Sequence, residues 1–336
     1  MFIGTNGIVV DNRGRVLLIL RDDTRTWAIP GGALDAGELP TDGVIREVKE
    51  ETGFQVQPSR LVGLYHWSDK QDEFLILVFR CIIDRGEMTK SEESLQVKFS
   101  RSDSLPRSLL GLHRERLERG LIHDGSAPYW GEQSLSLAMV LWKRFVGPVV
   151  YRIKDIRRRR RGESSYQPPL PWSIASFVVI QNEAEDVLWV MRTDYDLWNL
   201  PGGGSKSGEA PWSTAVRETR EETGLDVELL GCSGIYVKSK QNLMVFTFTA
   251  RVVGGELITG SEAAEFAYFS PGAEPENTLP KHVARVADAV SFQDIPYYRI
   301  QDQPPGLELL GAKPKTMEED NPPEAGNPDN GFDRGE

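Results

Sequence analysis

Apolar and polar positions follow the same succession in two distant parts of the chain. The stretches "TNGIVVDNRGRVLLILRDD" and "ASFVVIQNEAEDVLWVMRTD" each contain an apolar run, a polar turn and a second apolar run that ends in Arg21 or Arg192. Further along, "EFLILVFRCII" and "NLMVFTFTARV" are again apolar and rich in residues that favour strands. Each part therefore predicts two strands, a loop, a helix and further strands.

The loop and helix repeat with many identical residues. The segments "WAIPGGALDAGELPTDGVIREVKEETGF" and "WNLPGGGSKSGEAPWSTAVRETREETGL" lie 171 residues apart. A repeat of this length indicates two copies of an α/β domain, not a solenoid. We predict a first domain over residues 1–125, a helix and a basic, proline-rich linker over 126–170, a second domain over 171–295 and a disordered, acidic tail over 296–336.

The repeated helix gathers carboxylates on one face. At about 100° per residue, Glu47, Glu50 and Glu51 project into one sector. Like charges at this spacing repel by roughly 0.2–0.5 kcal/mol per pair, and Arg46 offsets only part of that repulsion. A solvated helix end is the simpler interpretation, but the repeat disfavours it. Because hard divalent cations take carboxylate oxygens, the face predicts a Mg²⁺ or Mn²⁺ site.

Both segments match the Nudix box: Gly, any five residues, Glu, any seven, Arg-Glu, an apolar residue, any one, Glu-Glu, any one, Gly, and an apolar residue. The first copy supplies Gly32, Glu38, Arg46, Glu47, Val48, Glu50, Glu51, Gly53 and Phe54. The second supplies Gly203, Glu209, Arg217, Glu218, Thr219, Glu221, Glu222, Gly224 and Leu225. Thr219, at an apolar position, is the single departure. The chain thus resembles a tandem Nudix hydrolase over most of residues 1–125 and 170–292.

The resemblance implies two Nudix-fold domains, each a mixed β-sheet sandwiched between helices. It also implies metal-dependent hydrolysis of a diphosphate linkage in a nucleoside diphosphate joined to another group. The implied metal ligands are Glu47, Glu50, Glu51 and the Gly31 carbonyl, and in the second copy Glu218, Glu221, Glu222 and the Gly202 carbonyl. Arg46 and Arg217 would orient these carboxylates, one of which would take the proton of the attacking water. Glu38 and Glu209 belong to the box without an assigned role.

A further acidic residue outside the box often completes the metal site, or supplies the base, in this family. Aligning "EESLQVKF" with "SEAAEFAYF" places Gln96 opposite Glu265. Because glutamine is neutral and a poor proton acceptor, this alignment predicts that the second copy is the more active one. The alternative is that Gln96 merely faces solvent.

Four more pairs of residues fall at equivalent positions. They are His113 and His282, Tyr65 and Tyr236, Trp27 and Trp198, and Cys81 and Cys232. We interpret the histidines as packing or surface residues in preference to ligands, and the tyrosines as core residues in preference to platforms for a base. The tryptophans either flank a nucleotide or anchor the glycine loop. Two cysteines are too few for a disulfide framework and predict separate burial.

Composition and charge favour a cytoplasmic enzyme. The net charge of −11 argues against a general nucleic-acid binder, and the N-terminus lacks the basic region of a signal peptide. The apolar segment "SLSLAMVLWKRFVGPVVYRI" is interrupted by charge and by proline, so no membrane span is predicted. The arginine run Arg157–Arg161 is interpreted as a solvated linker, with polyphosphate, RNA or an anionic membrane as its alternative partners.

Three functions are consistent with these residues. A hydrolase acting on a small-molecule nucleotide, ADP-ribose-like compounds first and oxidised nucleoside triphosphates next, is favoured because both carboxylate sets are complete. A nucleotide-binding sensor with one or both copies non-productive is the alternative, and RNA 5′-end pyrophosphate removal is a third. The copies either pair with each other within the chain or dimerise with a second chain.

Overall fold

The structure, a computed structural model, describes residues 1–302 apart from 70–71, 124, 126, 135–139, 141–151, 153–168 and 195. The first copy contains β1 (Phe2–Val9), β2 (Arg15–Arg21), β3 (Trp27–Ala28), α1 (Pro40–Thr52), β4 (Phe54–Ser68), β5 (Glu73–Gly86), β6 (Ser94–Arg101), α2 (Gly111–Ile122) and β7 (Tyr129–Glu132). The second contains β8 (Ser173–Ile180), β9 (Val187–Arg192), β10 (Trp198–Asn199), β11 (Gly202–Gly204), α3 (Pro211–Thr223), β12 (Leu225–Lys238), β13 (Leu243–Gly255), β14 (Ala263–Phe269), α4 (Pro280–Val290) and β15 (Tyr297–Ile300).

Each copy divides its strands between a larger mixed sheet and a smaller antiparallel one. The larger sheets have the orders β1-β5-β4-β7 and β11-β8-β13-β12-β15, and the smaller ones β3-β2-β6 and β10-β9-β14. In the first copy, Val44 and Val48 of α1 pack in one apolar cluster, while Leu117 of α2 packs in another. Helices therefore contribute to separate cores around the sheets, and the predicted α/β fold with mixed sheets is confirmed.

The carboxylate-bearing helices α1 and α3 have matching ends. Each begins with a proline, Pro40 or Pro211. Proline lacks a backbone N–H, but at the first position of a helix that N–H would have no acceptor within the helix, so nothing is lost. Each ends at a glycine in the left-handed region, Gly53 with φ 79° or Gly224 with φ 78°. These signals fix the helix ends, and with them the position of the carboxylates on the last turns.

Two strands lie where the sequence predicted no strand. β7 falls within the segment assigned to a helix and linker, and β15 falls within the segment assigned to a disordered tail. Each pairs in parallel with a central strand, β7 with β4 and β15 with β12. Their four-residue length gives almost no periodic signal, so only the pairing partner reveals them. Most of the predicted linker helix, the run Arg157–Arg161 and residues 303–336 lie outside the described residues.

The two copies contact each other through equivalent residues. Trp172 donates its backbone N–H to the Met1 carbonyl at 2.7 Å, and the Met1 amino group donates to the Trp172 carbonyl at 3.2 Å. Met1 and Trp172 are equivalent positions of the repeat. One apolar cluster contains residues of both copies, including Leu77 and Phe246.

Aromatic contacts across this interface come in an equivalent pair. Trp130 on β7 contacts Phe248 with ring centroids 5.9 Å apart, and Tyr298 on β15 contacts Phe79 with centroids 5.8 Å apart. The two short strands that the sequence did not predict therefore each bring an aromatic ring to the other copy. Within the described part of the chain, no helix is both long and apolar enough to cross a membrane.

Candidate active site

The glycine loop of each copy holds one carboxylate of the following helix. The backbone N–H of Gly31 donates to Glu51 Oε2 at 2.8 Å, and that of Gly202 donates to Glu222 Oε2 at 2.7 Å. Gly31 has φ 145° and Gly202 has φ 141°, values that L side chains rarely adopt. A Cβ at Gly31 would also overlap the backbone of Thr5. These two glycines are therefore required by conformation and by space.

An arginine on each helix ties the other carboxylates together. Arg46 donates to both oxygens of Glu38 at 2.9 Å and to Glu47 Oε1 at 2.8 Å, with Glu50 Oε2 at 3.4 Å. The second copy repeats this network with Arg217, Glu209, Glu218 and Glu221 at 2.7–2.8 Å. The predicted orienting role of the arginines agrees with these contacts. Glu38 and Glu209 are the residues that fix the arginines.

The carboxylates differ in burial. Glu51 is 6% exposed and Glu222 is 9% exposed, while the Glu50 and Glu221 side chains are mostly open to solvent. Burial raises the pKa of Glu51 to about 8 and that of Glu222 to about 7. Burial likewise raises the pKa of Glu47 to about 7, against the lowering effect of Arg46. A cation in this position would favour the ionised carboxylates that burial disfavours.

Three carboxylates converge in the second copy. One oxygen each of Glu218, Glu222 and Glu262 lie within 4.8 Å of one another. Glu218 and Glu222 come from α3, and Glu262 immediately precedes β14. All donors are oxygens, the ligand type that Mg²⁺ and Mn²⁺ take. The donor set therefore fits the predicted metal, and carbonyl coordination by Gly31 and Gly202 stays a prediction.

The structure does not bring Glu265 into this cluster. Glu265 lies on β14 opposite Met191 and is exposed, on the same side of the strand as Ala267 and Phe269. Those two residues pack against the apolar cluster that includes α4, not against α3. Because side chains alternate along a strand, Glu265 faces away from the carboxylates of α3. In the structure Glu262, and not Glu265, converges with Glu218 and Glu222.

The first copy also carries an acidic residue at this place. Gln96 pairs with Leu20 as Glu265 pairs with Met191, so the alignment of the two copies is sound. The same alignment sets Glu93 opposite Glu262. The charge of Glu93 contributes to the raised pKa of Glu51, so it lies near the first carboxylate set. Both copies therefore have an acidic residue outside the box, and Gln96 gives no basis for a difference between them.

The signal for these two residues was present in the sequence. The offset that pairs Gln96 with Glu265 also pairs Glu93 with Glu262, the matching acidic residues. A difference between the copies remains, because within the described residues only the trio of the second copy converges within 4.8 Å. The greater activity of the second copy stays a prediction, now resting on this convergence.

Each glycine loop is also held by the other copy. The backbone N–H of Gly37 donates to Asn242 Oδ1 at 3.1 Å, and that of Gly208 donates to Glu73 Oε1. Asn242 and Glu73 occupy equivalent positions beside the strand pairs β12–β13 and β4–β5. The hairpin region of one copy thus contacts the loop before the carboxylate helix of the other.

The remaining equivalent pairs are mainly structural. Tyr65 and Tyr236 are at most 2% exposed, and Trp27 and Trp198 are at most 8% exposed within apolar clusters. His282 Nδ1 accepts the N–H of Leu200 at 3.0 Å, which supports the loop leading to Gly202. Cys81 and Cys232 are free and buried, as predicted.

Thr219, the departure from the box, is fully buried. Its hydroxyl donates to the Ala215 carbonyl at 2.8 Å, one turn earlier in α3. The equivalent Val48 is also fully buried, and threonine has a similar shape. Because the hydroxyl is satisfied within the helix, the substitution is tolerated in this core.

Comparison with known proteins agrees with this geometry. The family model described as NUDIX domain matches residues 2–119 and 171–289. A MutT-like protein of Streptomyces ambofaciens is 37% identical over 127 residues, 38% of this chain and 80% of the relative. A putative 8-oxo-dGTP diphosphatase of Bacillus subtilis (strain 168) is 35% identical over 114 residues, 34% of this chain and 76% of the relative.

A solved structure, an ADP-ribose pyrophosphatase from Streptococcus suis 89-1591, is 26% identical and aligns with a TM-score of 0.34 over 39% of this chain and 100% of its own. The two family matches cover most of the chain and coincide with the two carboxylate helices. The chain belongs to the Nudix family and is a Nudix hydrolase with two domains. The tandem arrangement predicted from the repeat is confirmed.

Proposed function

We propose that the chain hydrolyses a diphosphate linkage in a nucleoside diphosphate joined to another group, with Mg²⁺ or Mn²⁺. The observation that carries this proposal is the convergence of Glu218, Glu222 and Glu262 beside the Gly202 loop. When bound, a divalent cation would act as a Lewis acid on phosphoryl oxygens and lower the pKa of the attacking water. Glu218, Glu222 and Glu262 would hold it in the second copy, and Glu47, Glu51 and Glu93 in the first.

The protein side chains divide the remaining tasks. Arg217 holds Glu218 and Glu221, and the Gly202 N–H holds Glu222, so these carboxylates are positioned in advance. Glu262 is exposed and, among the described residues, its side chain has no hydrogen-bond or ion-pair partner. It is therefore the carboxylate best placed to accept the proton of the attacking water.

The nucleotide is proposed from the similar proteins, and the chemistry from the carboxylates. ADP-ribose-like compounds are the first candidates and nucleoside triphosphates the second, and the similar proteins include a putative 8-oxo-dGTP diphosphatase and an ADP-ribose pyrophosphatase. The carboxylate geometry specifies cleavage of a diphosphate and does not choose between these leaving groups. A substrate comparison is therefore part of the test.

The test measures phosphate release, coupled to a phosphatase, from ADP-ribose, NADH, dinucleoside polyphosphates, nucleotide sugars and nucleoside triphosphates. Turnover that requires Mg²⁺ or Mn²⁺ and stops with EDTA is expected. The Glu51→Gln and Glu222→Gln double variant keeps the size of both side chains and should abolish turnover. Tight nucleotide binding with no turnover of any compound would instead support the sensor.

A further inference from the structure

The second copy gathers cationic side chains at the start of α4. Lys281 and Arg285 lie four residues apart on this helix and therefore share one face. Lys238, the last residue of β12, lies against that face, and its ammonium group neighbours that of Lys281. Three positive charges are thus held together on two packed elements.

Carboxylates do not neutralise the two lysines. Among the described residues, neither Lys238 nor Lys281 forms an ion pair within 4.0 Å. Both are half-buried, so their repulsion is less screened than it would be in open water. Burial, followed by the charge of Lys238, lowers the pKa of Lys281 to about 8. An arrangement of this kind is stabilised by an anion.

Arg285 has an unpaired donor within this group. Its side chain is 1% exposed, and its Nε and Nη2 donate to Gln301 Oε1 at 3.2 and 2.9 Å. Its guanidinium carbon lies 4.9 Å from the ring centroid of Phe177 and 5.2 Å from that of Tyr236. Within the described part of the chain, Nη1 has no hydrogen-bond partner, although it is buried. Buried donors are normally paired, so this N–H is available to an acceptor such as an anion.

The first copy lacks this feature. The equivalent Arg116 donates from Nη1 to Asn6 Oδ1 at 2.9 Å, whereas Phe177 stands at the position of Asn6 in the second copy. The positions of Lys238 and Lys281 are held in the first copy by Trp67 and Leu112. At this place the first copy therefore has one arginine with a paired Nη1 where the second copy has three positive charges.

The cationic group lies beside the carboxylates of the second copy. His282, next to Lys281, accepts the N–H of Leu200, two residues before the glycine that binds Glu222. The charge of Arg192, on β9, influences the pKa of both Glu222 and Lys281, so both groups lie within electrostatic range of this arginine. The carboxylates and the cationic group are therefore both tied to the Leu200–Gly202 loop, an arrangement that one extended nucleotide could span.

We propose that Lys238, Lys281 and Arg285 form a phosphate-binding subsite that is specific to the second copy. The subsite takes a phosphate group additional to the diphosphate linkage that is cut, and this inference rests on the proposed function. Lysine ammonium groups and the unpaired guanidinium N–H are suitable donors for phosphate oxygens. That phosphate is either the terminal one of a nucleoside triphosphate or a phosphate on the ribose of an ADP-ribose-like compound.

The experiment uses the full chain with Glu51→Gln, so that turnover comes from the second copy, and the Lys281 variants identify the part of nucleotide binding that belongs to the second copy. Calorimetry in EDTA measures the affinity for dGTP, ADP-ribose and ADP-ribose 2′-phosphate, and steady-state assays with Mg²⁺ measure KM. Lys281→Met should lower the affinity for at least one of the two phosphate-bearing probes by about tenfold or more, since a charge-assisted hydrogen bond is lost. ADP-ribose should change by less than about twofold, and Lys281→Arg should restore most of the loss.

Lys240→Met is the matched control, because Lys240 is an exposed lysine two residues beyond Lys238 and should leave all affinities unchanged. The probe that loses affinity identifies the source of the phosphate. An equal loss for ADP-ribose, or no loss for either phosphate-bearing probe, would overturn the subsite. Absence of turnover in the wild-type chain would contradict the proposed function alone, because the affinities in EDTA remain measurable.

Discussion

Replacing Glu262 tests which acidic residue completes the second metal site. The three carboxylate oxygens lie within 4.8 Å of one another, so an ion among them is no farther than that from Glu262. Because Glu262 is exposed, its attraction to a divalent cation at that distance in bulk water is about 1.7 kcal/mol. Glu262→Gln should therefore weaken metal binding by roughly 20-fold. The buried Glu222 acts through a lower dielectric, so Glu222→Gln should abolish detectable binding.

The assay is calorimetric titration of Mn²⁺ at low ionic strength, where screening of an exposed charge is weak. The background variant Glu51→Gln removes the first site from the titration. Glu265→Gln is the matched control, since it changes the same residue type three positions away on the other side of β14, and less than a twofold effect is expected. If Glu265→Gln weakened Mn²⁺ binding as much as Glu262→Gln, the assignment of Glu262 would be wrong.

Three further results are expected. Arg217→Lys should lower kcat about tenfold or more, because lysine cannot form the two hydrogen bonds to Glu209 and also hold the other carboxylates. Arg220→Lys is the control and should leave kcat unchanged, because Arg220 forms an exposed ion pair. Trp130→Ala should lower the free energy of unfolding by about 2 kcal/mol in urea titrations, since its ring is half-buried against the other copy; an unchanged midpoint would contradict that interface. Mn²⁺ affinity should rise between pH 6 and 8, because Glu222, whose pKa burial raises to about 7, must lose its proton to bind metal. An Mn²⁺ affinity that does not change over this pH range would contradict the raised pKa.

Features fixed by local chemistry were predictable from the sequence. The helix ends at Pro40 and Gly53, the carboxylate face and the glycine loop all follow from residue type and spacing, and each recurs at the second copy. The repeat removed the ambiguity of a single acidic helix, because a chance cluster of charges has no reason to recur with the same glycines. The contacts of Arg46 with Glu38 explain the first glutamate of the box, whose role could not be assigned from the sequence.

Features fixed by tertiary pairing were not predictable. Glu262 and Glu265 are three residues apart, and only the alternation of β14 against β9 decides which faces α3. The strands β7 and β15 are too short to be recognised without their partners β4 and β12. The cationic group at the start of α4 likewise joins residues 43 positions apart in the chain, Lys238 and Lys281, which no local pattern connects.

Metal-dependent phosphate release by the wild-type chain, Glu51→Gln and Glu222→Gln on the best substrate of the panel measures the share of turnover that each domain contributes. Both variants retain an amide oxygen that can accept the glycine N–H, so both should fold. Because the converging trio belongs to the second copy, Glu222→Gln should remove most of the turnover and Glu51→Gln only a minor part. Equal losses would contradict the dominance of the second copy, and full turnover in both variants would contradict the carboxylate sites themselves.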